Sequence, residues 1–274
     1  GEFRFDDYTA FGMSDIARDL FREGFGNATV DLSSDQQIPG DCALMLVAGA
    51  RDDFSRAELD RLNAYLREGG RLLVMLGSSR SGGVVSLLPS WGLRPYDRPL
   101  QDVRSLSGTD VIVTDFTDHP ISRPLRGSRI VLERPVAFAP SAVADRGTGV
   151  DRIGYMPVAE VDAAAVVASV ERGGGAGDDL ALRPTRLVVV GDAGFAINGQ
   201  LVARASANRD FFLNCVAYLS GAEAHGAGDE VHDRFLSGMD RTSRRRHARW
   251  SAVLFPVVVA LTLFAVAFRR RHRT

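Results

Sequence analysis

Three places along the chain carry side chains that could do chemistry. The first is Gly77-Ser78-Ser79-Arg80-Ser81, at the end of an apolar run. Small residues around Ser79 loosely fit the small-x-nucleophile-x-small turn that exposes a hydrolase nucleophile. A serine there needs an imidazole base, and His119 with Asp115 or Asp118 is the available set. An ordinary serine- and glycine-rich loop gives the same pattern with no chemistry, and no cysteine stands in it. His119-Pro120 lies between a strand-like run and a turn, where imidazole bonding to backbone is the commoner arrangement. The second place is Asp192, directly after an apolar run and so at the carboxyl edge where α/β folds bind ligands. Together with Asn198, Asn208, Ser78 and Ser79 it makes a candidate polar ligand or ion site. Capping competes with that reading: Asp192 can cap the turn after it, and the asparagines can cap the helix beginning at Asn208. The third place holds His225, His232, Asp229, Glu230 and Asp233 in a polar linker without cysteine or strict ligand spacing, so no metal centre is expected. No catalytic residue and no cofactor is expected either.

Residue types narrow the chemistry further. Every basic residue is arginine, which rules out Schiff-base and P-loop lysine chemistry. The two cysteines, Cys42 and Cys215, sit in an apolar strand-like run and on an apolar helix face. Both read as small buried hydrophobes; a disulfide between them stays open, because spacing cannot set their distance.

The elements that must position these residues follow from periodicity. Residues 14–25 read as a helix with Ile16, Leu20 and Phe21 on one face, and 27–32 as a short strand. A turn at 38–41 leads to the continuous apolar run 42–48, typical of a strand buried on both faces. Ser55 and Glu58 form a capping box for a helix with Leu59, Leu62 and Leu66 as its stripe, ended by Gly69 and Gly70. Residues 71–76 give a second buried strand, so strand, helix and strand imply a parallel crossover. A short helix over 84–93, strands at 111–114, 130–132, 163–170 and 187–190, and a helix over 208–219 with Phe211, Phe212, Cys215 and Leu219 inward complete the body. The fold class expected is α/β.

Beyond residue 220 the character changes. Residues 221–249 read as a polar, basic linker. Residues 250–268, WSAVLFPVVVALTLFAVAF, are nineteen residues without a charge, about 28 Å as a helix and enough to cross a hydrocarbon core. Trp250 stands at one boundary, Pro256 within, and Phe268 is followed by Arg269, Arg270 and Arg271 in a basic tail over 269–274. The expectation is one transmembrane helix in contact with a lipid bilayer. No acidic residue follows Asp240, while nine arginines do; the preceding part keeps 24 basic against 34 acidic residues. An acidic body argues against nucleic acid as partner, and a basic tail suits an anionic lipid surface. Arginines lie on both sides of the apolar stretch, so their count does not set orientation.

Five segments, in this order, resemble the auxiliary domain of gliding-motility-type ABC transport systems. IPGDCALMLVAGARDDFSRAELDRLNAYLREGGRLLVMLG matches its strand, capped helix, "YL-x-x-GG" and strand. LLPSWGL matches its "LL-x-x-x-G" helix, and DHPIS at Asp118 to Ser122 its "HPI" motif. TRLVVVGDAGFAIN at Thr185 to Asn198 matches "GD-x-x-F-x-x-N", and NRDFFLNCVAYLSG at Asn208 to Gly221 matches "N-x-x-F-x-N-x-x-x-W-L". Gly194 departs where an acidic residue is common, and Tyr218 where tryptophan is. Gly1-Glu2 looks like the end of a turn after the family's first strand, which reads as an N-terminal truncation. The resemblance implies a mostly parallel sheet with flanking helices, like a class I glutamine amidotransferase, in residues 1–220. It further implies an extracytoplasmic body on the bacterial inner (cytoplasmic) membrane, ABC permease and ATPase subunits as partners, and a glycan or peptide as a ligand to consider. The resulting expectation is a non-catalytic accessory subunit; a membrane-bound serine hydrolase using Ser79 and a purely structural scaffold are its rivals.

Overall fold

A computed structural model of the chain describes residues 3–34, 38–77, 83–101, 109–148, 151–173, 184–203 and 206–221. All of these fall in one compact unit spanning Gly1–Ala227. Residues 250–268 and the arginines after them lie outside the described residues. Among the described residues no helix is long and apolar enough to cross a membrane.

The first half alternates strands and helices as its periodicity dictates. Helix α1 (Ser14–Arg22) precedes β1 (Met45–Ala48), α2 (Arg56–Arg67) and β2 (Arg71–Met75). The Ser55 capping box forms: its hydroxyl accepts the Glu58 N–H and the Glu58 carboxylate accepts the Ser55 N–H. Helix α2 stops at Gly69, whose φ of +84° only glycine adopts without strain. The run expected as one helix over 84–93 is a short helix α3 (Val84–Leu87) and a 3₁₀ turn at Leu88–Trp91, leading into β3 (Leu93–Pro99). Then follow β4 (Asp110–Val113), β5 (Asp115–Phe116), β6 (Ile130–Glu133), β7 (Val136–Pro140), β8 (Ile153–Val161), β9 (Ala164–Arg172) and β10 (Thr185–Val190). Helices α4 (Asn198–Ala203) and α5 (Asn208–Ser220) close the body.

The main sheet has eight strands, with the path β1-β2-β10-β9-β7-β3 and with β8 pairing both β5 and β9; β4 and β6 form a separate antiparallel pair. Only β1, β2 and β10 pair in parallel; every other pairing is antiparallel. The sheet is therefore mixed, and the expected parallel arrangement is confined to one end. Period-two alternation splits the core into two layers. Leu73, Met75, Val188 and Val190 point to the side of α1 and α5, and Leu72, Val74, Leu187 and Val189 to the side of α2 and Trp91. The face expected for α1 holds for Ile16 and Leu20, whereas Phe21 is exposed. The strand expected at 27–32 does not form.

A two-residue turn, Asp162-Ala163, joins β8 to β9 with φ of +49° and +62°, the left-handed pair that fits the twist of a tight hairpin. Alanine tolerates this conformation poorly. Ala163→Gly is expected to raise stability by about 1 kcal/mol, read as an upward shift of the thermal midpoint.

Candidate functional site

The polar residues at the carboxyl end of β10 are gathered by a strand edge. Strand β10 is followed by Gly191, whose N–H donates to the Val166 carbonyl and whose carbonyl accepts the Val136 N–H, both at 2.9 Å. A Cβ there would lie 2.0 Å from the Val136 oxygen, so no other residue fits. Asp192 is thereby turned toward β6. Its carboxylate accepts the Glu133 N–H at 2.8 Å and the Gly194 N–H at 2.7 Å. Burial pushes this carboxyl up to about 7, against the pull of those two N–H groups.

Asn208 meets the same strand two residues earlier. Its Oδ1 accepts the Val131 N–H at 2.8 Å, and its Nδ2 donates to the carbonyls of Val131 at 2.9 Å and Phe195 at 3.0 Å. The Ala207 N–H donates to the Arg129 carbonyl at 2.8 Å. Strand β6 pairs with β4 through its other edge. Ala207, Asn208 and Asp192 thus stand where a neighbouring strand would, supplying its donors and acceptors from one backbone group and two side chains.

Asn198 faces another way. Its Oδ1 accepts the Asp15 N–H at 3.0 Å, and its Nδ2 donates to the Thr9 carbonyl at 2.7 Å and the Ser14 hydroxyl at 3.1 Å. It clasps the loop before α1 onto the start of α4. So Asp192 and Asn208 come together on β6, while Asn198 serves a separate junction. Each of the three bonds backbone groups of the protein itself, and Asn198 also the Ser14 hydroxyl. Ser78 and Ser79 lie outside the described residues, as do His225 and His232. Among the described residues no group of three His, Cys, Asp or Glu side chains could hold a metal ion.

Replacing Asp192 by asparagine is expected to cost about 2 kcal/mol. One acceptor becomes an NH₂ facing a backbone N–H, and relief of the buried charge offsets part of the loss. Urea unfolding of the two proteins measures it.

His119 lies buried in a second polar cluster. The Asp118-to-Ser122 turn packs against α5, where the Asn214 Nδ2 donates to the Ile121 carbonyl at 3.2 Å. The His119 Nδ1 accepts the Ile121 N–H at 3.2 Å, so the ring proton sits on Nε2, which meets the Ser169 Oγ at 2.9 Å. Beside it the Tyr218 hydroxyl donates to the Glu171 carboxylate at 3.3 Å, and the Arg186 Nε stands 3.6 Å from that carboxylate. The Arg186 guanidinium also lies 4.7 Å above the Tyr218 ring. The imidazole proton is directed at the Ser169 oxygen and the Tyr218 proton at the Glu171 carboxylate. Burial, with the charges of Arg186 and Arg123 adding, lowers His119 to about 4. Burial, with Glu171 adding, pushes Tyr218 up to about 12.

This cluster resembles a serine–histidine pair but is built backwards. A base must present a bare nitrogen to the hydroxyl, and here that nitrogen carries the proton. Asp118 does not orient the ring: its carboxylate binds Arg123 at 3.0 Å and Arg126 at 2.8 Å at the surface. Asp115 lies exposed on β5. Ser169 did not stand out in the sequence and Tyr218 did so only as a departure from the family motif, because no local spacing links either to His119. No disulfide joins the two cysteines: the Cys42 Sγ donates to the Leu44 carbonyl at 3.2 Å, and burial pushes the Cys215 thiol upward.

No protein-family model matches the chain, and no curated protein does. Among solved structures, one described as "mmIFT52 N-terminal domain" is similar, with a TM-score of 0.59 at 18% identity, covering 81% of this chain and 98% of that one. A likeness at that identity speaks for the fold alone.

Proposed function

We propose that the chain is a non-catalytic accessory subunit of an ABC-type transport or gliding-motility system, with its body outside the bacterial inner membrane and its C-terminal apolar stretch as anchor. One observation carries the non-catalytic part. Asp192, Asn198, Asn208 and His119 are each engaged by the protein's own groups, and the Ser169–His119 contact has its proton on the nitrogen that a base would need bare. The accessory part draws on the order of sequence motifs and on the uncharged stretch 250–268, whose length suits a bilayer. Such a subunit works by holding a partner protein rather than by turning over a substrate.

Affinity purification of the full chain from detergent-solubilised membranes tests this. Co-purification of an ATPase and a permease is the expected result. Recovery of the chain alone, in the aqueous fraction, defeats it. Labelling of Ser79 by a fluorophosphonate would overturn the non-catalytic reading in favour of a hydrolase.

A further inference from the structure

His119 belongs to the segment that runs from β5 to β6, residues 117–128, and is 2% exposed beneath it. Its bonding leaves no room for a second ring proton. Nδ1 takes the Ile121 N–H at 3.2 Å, so a proton on that nitrogen would oppose another donor. Among the described residues no carboxylate bonds the ring. The charged and titratable groups around it are all engaged elsewhere or are themselves positive. In its own turn, Asp118 is exposed and holds Arg123 and Arg126. On β9, Glu171 is met by the Tyr218 hydroxyl and by Arg186. On α5, the Tyr218 ring stands 4.8 Å from the imidazole. Arg186 on β10 and Arg123 in the turn both disfavour another positive charge there. Strand β8 meets the segment through Pro157 and Val158, neither of which titrates.

The segment has a pinned start, a stiff middle and a loose end. The Thr117 N–H donates to the Val158 carbonyl at 3.2 Å and its hydroxyl to the Pro157 carbonyl at 2.7 Å. Pro120 and Pro124 fix two φ angles. The Arg123 N–H donates to the His119 carbonyl at 2.8 Å, and the Leu125 N–H to the Ser122 carbonyl at 2.9 Å. These bonds lie inside the segment and travel with it. Gly127 has a φ of +82°, and a Cβ there would meet nothing within 4 Å. Three things tie the segment to the body: the His119–Ser169 contact, the Asn214 bond to the Ile121 carbonyl, and the fully buried Ile121 and Leu125 side chains.

We propose that residues 117–128 form an acid-released latch: protonation of His119 frees the segment from α5 and β9 while the sheet stays folded. Docked, an imidazolium keeps its Ser169 contact but opposes the Ile121 N–H and buries an unpaired charge; undocked, it is hydrated. The docked ring titrates at about 4 and a released one near 6.5, so release is hardest above pH 6.5 and grows easier as pH falls toward 4. Release uncovers Ser169 and the Asn214 and Tyr218 side of α5. Nothing in the latch requires a partner, so it stands or falls apart from the accessory-subunit reading.

Amide hydrogen exchange in the detergent-solubilised full chain tests this, with protection taken relative to unfolded-chain rates at each pH. The reporters are the Arg123 and Leu125 amides, whose partners move with the segment whatever the charge on His119. Their protection should fall roughly a hundredfold from pH 7 to pH 4. At pH 4, submolar urea should barely change their exchange but should speed that of Val189 in β10, since release exposes far less surface than unfolding. In His119→Gln the protection of both reporters should not vary with pH, whatever its level. Unchanged protection in the wild type overturns the latch. So does a urea response equal to that of Val189, which would mean that the whole body opens. So does the same hundredfold fall in His119→Gln. The wild-type pH and urea series decide the matter even where the variant does not fold.

Discussion

Asn208→Asp is expected to destabilise the protein by about 4 kcal/mol. The Asn208 amide is 1% exposed and makes three hydrogen bonds, two of them donated to carbonyls. Aspartate keeps the acceptor for Val131 but turns both donations into contacts between lone pairs. The new carboxyl escapes its charge only by taking up a proton, and even then one carbonyl stays unmet. Asn208→Ala should cost less, about 3 kcal/mol, because it removes partners without adding repulsion. Urea unfolding by circular dichroism ranks the two variants. A reversed order would mean that β6 keeps its pairing without this amide.

The second large effect is a response to acid. His119 is held at about 4 in the folded protein and returns to about 6.5 when the chain unfolds. Between those values the unfolded state binds the extra proton, so stability falls as pH falls. The contribution is complete above pH 6.5 and is lost through the window down to about 4, amounting to about 3 kcal/mol. Asp192 works oppositely. Its folded value of about 7 exceeds the ordinary carboxylate value, so its contribution is present in acid and is lost as pH rises through 7. The two slopes overlap and partly cancel in the wild type. Comparison with His119→Gln isolates the imidazole: the advantage of wild type over variant should shrink by about 3 kcal/mol from pH 7 to pH 4. A constant difference across that range would show that the Ile121 and Ser169 contacts do not hold the ring neutral.

Parts of this molecule could be read without coordinates because their signals are local. The Ser55 box, the glycines after α2 and the apolar runs of β2 and β10 announce themselves within a few residues. Strand β3 does not, since Pro95 and Pro99 look like loop and are tolerated only because the strand ends the sheet. Residues 27–32 carry a strand pattern, yet pattern alone cannot supply a partner to pair with. The candidate site shows the same limit. Asp192 and Asn208 were visible as polar residues beside buried strands. A carboxylate awaiting a ligand and one bonded to its own chain are indistinguishable when the deciding partners, Glu133 and Val131, lie 59 and 77 residues away. The Ser169–His119 contact spans 50 residues and left no trace in the spacing.

Arg71 and Arg186 stand at the starts of β2 and β10, and donate to the Leu219 carbonyl at 2.6 Å and the Tyr218 carbonyl at 2.8 Å, the last turn of α5. These cations sit where the helix presents its negative pole. The consequence is mechanical. A pull on the chain at Gly221 reaches two central strands directly, through a pair of guanidinium grips, before it can peel the helix. Freeing the end of α5 from the sheet therefore requires both contacts to break.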